Sequence, residues 1–205
     1  MTSRVWLVII VALLAISAMA VAGSYNHLVL LDQAVQAQWG QVENVYQRRA
    51  DLIPNLVATV KGVANFEKST YIAVAQARAK VGQIAGPVNA PATAALTPSN
   101  PAAFAQYAAA QDGLTSALSR LLAVVENYPQ LKANENFLTL QAQLEGTENR
   151  IAVERMRYND RAQEFNTYRQ SFPTLLIAGL FGDRFAPKAY FQAQPGAQNA
   201  PKVQF

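Results

Sequence analysis

The side chains best suited to chemistry fall into two groups, Asp32, Glu43, Arg48, Arg49 and Asp51 toward the N-terminus and Glu148, Asn149 and Arg150 far downstream. Paired carboxylates do acid and base work when burial separates their pKa values. Arg48 and Arg49 beside Asp51 could instead clamp a phosphate or carboxylate ligand, or a partner, because a guanidinium grips such anions bidentately. A third reading comes from position: Asp32, Arg49, Glu148 and Arg155 all fall on the apolar stripe of a helix. Polar residues there pair across helices and fix register. That structural reading has the broadest support in the pattern, with the anion clamp as its rival.

Other chemistries lack their residues. The chain has no Cys and a single His, His27, so disulfides, thiolate ligands, a cysteine nucleophile and a His-pair zinc site are excluded. No phosphate-cradling glycine loop, nucleophile elbow or helical metal motif occurs. We therefore expect no catalytic residues, cofactor or metal. Net charge is +4, but the arginines at 48, 49, 150, 155, 157 and 161 alternate with acidic residues at 43, 51, 148, 154, 160 and 164. A nucleic-acid surface needs uncompensated positive charge on one face, so no nucleic-acid partner is expected.

The elements that must position these residues read as helices. With 51% hydrophobic but only 15% charged residues in 205, against about 25% charged in an average soluble domain, the composition fits one helical domain with a membrane-facing part. Residues 5–22, VWLVIIVALLAISAMAVA, are apolar and uncharged and span about 27 Å as a helix, close to the thickness of a bilayer core. A cleaved secretory signal is the alternative, since Ala18-Met19-Ala20 matches a small-x-small cleavage site. The apolar run continues past that site and Trp6 suits a headgroup zone, which favours an anchor. Arg4 is the sole basic residue near either end before Arg48, so the positive-inside rule places the N-terminus inside and the body outside. In a two-membrane bacterium that means a single-pass protein of the inner membrane with a periplasmic body. His27 then lies at the membrane interface.

Beyond the span, Tyr25, Leu28, Asp32, Val35, Trp39, Val42, Tyr46, Arg49, Ile53, Leu56, Val60 and Val63 advance by steps of three and four, the seam of a helix packed lengthwise. Pro54 predicts a kink or restart with Asp51 as N-cap. A helix over 66–81 is expected to end at Gly82 and Gly86, followed by an uncharged loop over 86–101 that holds four Pro. Pro101 suits a helix start, and Tyr128-Pro129 a stop. A last long helix runs from Asn134 as N-cap to about residue 171, with Phe137, Leu144, Glu148, Ile151, Arg155, Tyr158, Phe165 and Phe172 on its seam. The segment TLLIAGLFG at 174–182 is too short to cross a bilayer and too apolar for water. Its Leu175, Leu176, Ile177, Leu180 and Phe181 are offered to the membrane, to another subunit or to the bundle itself. The tail, 183–205, is poor in hydrophobic mass beyond Ala186 and reads as disordered.

Laid out in this way, the chain resembles the LemA family of small bacterial membrane-anchored proteins. The resemblance rests on YNHLVLLDQAV at 25–35, QWGQVENVYQRRADLIPNLVATVKGVA at 38–64, ENYPQLKANENFLTLQAQLEGTENRIA at 126–152, and RYNDRAQEFN with FPTLLIAGLFG after it. Gly40, Ala50 and the surroundings of Phe185 depart from the family pattern. The resemblance implies an all-α fold, with an N-terminal transmembrane helix followed by a bundle of long antiparallel helices; it does not imply an enzyme activity. The expected organisation is an anchor at 1–24, a bundle at 25–182 and the tail. The expected role is a non-enzymatic, membrane-tethered scaffold of the cell envelope that binds copies of itself or other envelope proteins. The alternatives are an accessory protein holding an anionic ligand at Arg48, Arg49 and Asp51, or a secreted soluble bundle released by cleavage after Ala20.

Overall fold

In a computed structural model, residues 2–63, 66–85 and 97–192 are described. They form six α-helices: α1 Thr2–Lys61, α2 Lys68–Ala85, α3 Pro101–Val125, the single turn α4 Pro129–Lys132, α5 Glu135–Gln170 and α6 Thr174–Leu180, followed by a 3-10 turn Gly182–Phe185. No strand occurs among the described residues. The linker at 86–96 and the tail beyond 192 lie outside them.

Side-chain contacts fix the topology. Lys61 lies over the Tyr71 ring and Arg78 reaches back to Ala50, so α2 runs antiparallel to α1. Phe104 and Tyr107 meet Trp39 and Tyr46, so α3 runs parallel to α1. Tyr168 faces His27, Tyr158 faces Trp39 and Glu148 faces Arg49, so α5 descends alongside. The result is an up-down-up-down bundle, the arrangement that short links and lengthwise apolar stripes favour.

The stripe read from α1 is the buried one: Leu28, Val35, Trp39, Val42, Tyr46, Ile53, Leu56 and Val60 are core residues. They fall into two apolar clusters. One gathers Leu28 to Tyr46 with Phe104, Tyr107, Tyr158 and Phe165; the other gathers Ile53 to Val60 with Leu114, Leu121, Phe137 and Leu144. Arg49 sits between them. At the other end of α1, Val5, Trp6, Leu7, Ile10, Leu14 and Met19 are all exposed. Among the described residues α1 is the one helix long and apolar enough to cross a membrane.

Three local expectations differ from the structure. Helix α1 runs through Pro54 without restarting, and Asp51 accepts from Gln47 one turn back rather than capping a new helix. Proline at 54 leaves the carbonyl of residue 50 without its helical donor, and Arg78 Nε fills that place at 3.1 Å. Helix α2 continues to Ala85, because one glycine costs a helix only about 1 kcal/mol. Helix α5 does start at the Asn134 cap, whose Oδ1 accepts from Phe137 N at 3.0 Å, but it ends at Gln170 and leaves Phe172 outside, 82% exposed.

The tail departs furthest from expectation. Residues 185–192 are held against the bundle, with Phe185, Lys188 and Phe191 buried. Asn166 bonds both backbone groups of Lys188 at 2.8 and 2.9 Å, and Asn159 does the same for Phe191 at 2.9 Å. These asparagines stand seven residues apart on α5, two turns along one face, and read the strap as a neighbouring strand would. Tyr158 donates to the Ala189 carbonyl, and Ala189 N to that of Pro98.

Candidate functional site

Three ion pairs cross between elements along the core. In the first, Lys188 from the strap meets Asp32 Oδ1 at 2.5 Å, and both side chains are largely enclosed. The ammonium also donates to Ser99 Oγ at 2.8 Å and stands 4.7 Å from the Phe165 ring centre. Gln36 donates to the other Asp32 oxygen.

The second pair occupies the gap between the two apolar clusters. Arg49, fully buried, donates to Glu148 Oε1 at 2.8 Å and to Thr115 Oγ1 at 2.6 Å. It also donates to the backbone carbonyl and side-chain oxygen of Gln111. Its Nε is the one guanidinium nitrogen buried with no acceptor. This layer satisfies most of a charge that would otherwise be costly so deep in the core. Beside it, a cleft of about 330 Å³ between α3 and α5 exposes the edge of Glu148 next to Thr115 and Leu144.

In the third pair, Arg155 donates to Asp112 Oδ1 at 2.8 Å and to the Tyr46 hydroxyl at 2.7 Å. The Phe191 ring covers its guanidinium at 4.8 Å. Burial pushes the Tyr46 hydroxyl up to about 12, against the pull of Arg155, and it raises Tyr107 and Tyr158 for the same reason. Burial alone would lower Arg155, but the Tyr46 oxygen and Asp112 outweigh it and the net shift is upward. Glu43, on the surface, is raised by partial desolvation against a Trp39 hydrogen bond.

The proposed anion cluster does not converge. Adjacent helical positions point about 100° apart, so Arg49 enters the core while Arg48 and Asp51 face water. Asn149 and Arg150 are likewise exposed; Asn149 lines the same cleft as Glu148, and Arg150 does not. Among the described residues, no three His, Asp or Glu side chains come together as a metal site.

A second assembly lies where α1 leaves its apolar stretch. Tyr25 packs on Phe181 at 4.8 Å and on Phe185 at 5.5 Å. Phe181 lines a groove along α1 with Ala18, Val21, Ala22 and Asn26. Within α6, Thr174, Ile177 and Ala178 face the bundle, whereas Leu175, Leu176 and Leu180 are exposed. Gly182, at φ +54°, turns the chain from α6 into the 3-10 turn, a conformation costly for residues with a Cβ.

The sequence matches the model of the LemA family over residues 38–205. The chain belongs to the LemA family. This LemA protein is also similar to the magnetosome proteins MamQ 1 and MamQ 2 of Paramagnetospirillum magneticum (strain AMB-1), each 27% identical over 180 residues. MamQ of Magnetospirillum gryphiswaldense (strain MSR-1) is 26% identical over 180 residues. Each match takes in 83% of this chain and 65% of the relative, so the LemA chain spans about two thirds of the length of those proteins.

Sequence patterning located two of the three cations, Arg49 and Arg155, and two of the three acids, Asp32 and Glu148, but missed Lys188, Asp112 and the neutral partners. Gln111 and Thr115 are four apart on the α3 stripe, and Asn159 and Asn166 seven apart on α5; that polar periodicity was the available signal. Lys188, between Phe185 and Phe191, carried a weaker one.

Proposed function

We propose that this LemA protein is a single-pass, non-enzymatic scaffold of the inner membrane, whose bundle stands on the outer side and assembles with copies of itself or with other envelope proteins. One observation carries the reading. The exposed apolar stretch of α1 passes without a break into the buried seam of the bundle, so anchor and body form one continuous helix of about 90 Å. The seam charges Asp32, Arg49, Glu148 and Arg155 are occupied by partners on other elements, which supports a register-fixing role over a catalytic one. The likeness to magnetosome proteins transfers no partner, since a third of their length has no counterpart in the match.

Extraction of the full chain into lipid nanodiscs, followed by mass measurement, tests the proposal. It predicts intact chains beginning at residue 1, in particles holding several copies or a stoichiometric second protein. Bare monomers would refute the scaffold, and chains beginning after Ala20 would refute the anchor. Protease added to spheroplasts should digest the body; full protection would reverse the topology.

A further inference from the structure

The apolar face of α6 has no partner among the described residues, yet its place along α1 identifies what covers it. Leu176 and Leu180 are spaced by four on α6 and form one stripe, 62 and 84% exposed, and Phe172, in the turn that leads into the helix, is 82% exposed. The opposite side, Thr174, Ile177 and Ala178, is buried against the bundle, so the stripe is fixed in its outward direction. A bilayer core of about 30 Å takes about 20 helical residues. Counted from Arg4, its far boundary falls near Ser24. Phe181 shares a groove with Ala18, Val21 and Ala22, on the hydrocarbon side of that boundary, while its contact with Tyr25 lies on the headgroup side.

We propose that α6 is a second membrane foot: Phe172, Leu176, Leu180 and Phe181 insert into the acyl–headgroup boundary of the leaflet from which α1 emerges. The occupant is lipid rather than protein because the stripe continues the lipid-facing surface of α1 at the same depth, through Phe181. A short helix with one apolar side and one anchored side is suited to lie in the interface plane, and the aromatic rings of Phe181 and Tyr25 sit where such belts form.

This inference rests on the anchor reading above, and the experiment separates the two. Because the chain has no cysteine, Leu176→Cys and Leu180→Cys each accept one environment-sensitive fluorophore in the full protein, reconstituted at one chain per nanodisc. Leu14→Cys, within the span, serves as the lipid reference, and Leu138→Cys, exposed on the far end of the bundle, as the aqueous one. Labels at 176 and 180 are expected to emit toward the blue and to be quenched by lipids spin-labelled near the headgroup. Emission matching position 138 while position 14 reads as lipid overturns the foot alone; aqueous emission at position 14 overturns the anchor itself. Blue emission at 176 and 180 that spin-labelled lipid fails to quench means that protein covers the stripe, and also overturns the proposal.

Discussion

Removing Glu148 is the sharpest perturbation of the layer between the two apolar clusters. Glu148→Ala leaves the fully buried Arg49 cation without its counter-charge. Breaking a buried pair from one side costs about 3–5 kcal/mol, because the remaining charge is stranded. Two features lower that figure here. The Glu148 side chain is 31% exposed, so water already screens the pair, and Arg49 keeps the Thr115 hydroxyl and both Gln111 oxygens. Discounting by about half for screening and residual bonds gives about 2 kcal/mol, or roughly 4–8 °C in melting temperature for a chain of this size. The double substitution Arg49→Met with Glu148→Leu should recover to within about 1 kcal/mol of the parent, since apolar residues of similar volume fuse the two clusters. Thermal unfolding of the full chain in nanodiscs, followed by circular dichroism, measures both. An unchanged melting temperature for Glu148→Ala would mean that Arg49 reaches water and that the layer is open. A double variant as unstable as the single one would mean that the polar residues are integral to packing, not exchangeable with it.

Three further outcomes follow from the same structure. Asn166→Ala removes bonds to both backbone groups of Lys188 and to the Tyr190 hydroxyl; limited proteolysis should then cut within 186–192, and an uncut strap would show that Asn159 and the phenylalanines suffice. Arg48→Ala and Asp51→Ala, both on exposed positions, should leave the melting temperature unchanged and bind no less phosphate than the parent; loss of measurable phosphate binding would revive the anion-site reading. The Tyr46 hydroxyl, raised to about 12 from an ordinary 10, loses its proton more readily in the unfolded chain. Its contribution to stability is therefore complete below pH 10 and is lost as pH rises toward 12. Tyr46→Phe should flatten that part of the denaturation profile, and an alkaline limb identical to the parent's would refute the assignment.

Helix seams were legible because burial follows a period that residue type alone records. From Leu28 to Val60, α1 buries the residues its three-four spacing selects, Asp32 and Arg49 included. Pro54 misled because the rule for a missing donor is local, and the remedy, Arg78, comes from another helix. The strap misled for a related reason. Hydrophobic mass is a sound criterion for a segment that must fold alone, but residues 185–192 add only Phe185 and Phe191 as aromatic anchors and satisfy backbone groups of Lys188 and Phe191 on asparagine side chains already present on α5. Several partners of the seam charges stayed hidden because Lys188, Gln111 and Asp112 are ordinary polar residues until tertiary packing brings them to Asp32, Arg49 and Arg155 respectively. Segment 174–182 resolved into two faces only when its helical phase against α1 was known.

The continuity of α1 makes the bundle's orientation depend on its weakest point. Gly23 is exposed, and among the described residues nothing approaches the position of a Cβ there, so none of them compensates by packing for a residue that weakens a helix by about 1 kcal/mol relative to alanine. It falls where the helix leaves the apolar stretch, the place at which a long lever is most easily bent. Phe181 straddles that point: it lines the α1 groove with Ala18, Val21 and Ala22 below Gly23, and packs at a tilt against Tyr25 above it. Phe181 is in turn held by the turn and strap that run to Phe185, Lys188 and Phe191, so the Asp32–Lys188 pair and the asparagine clamp bear on the stalk as well as on the bundle. Phe181→Ala should therefore loosen the stalk without unfolding the body. Spin labels on Leu14→Cys and Leu138→Cys would give a broader distance distribution at an unchanged melting temperature. A distribution as narrow as the parent's would mean that α1 is stiff through Gly23 on its own and needs no brace.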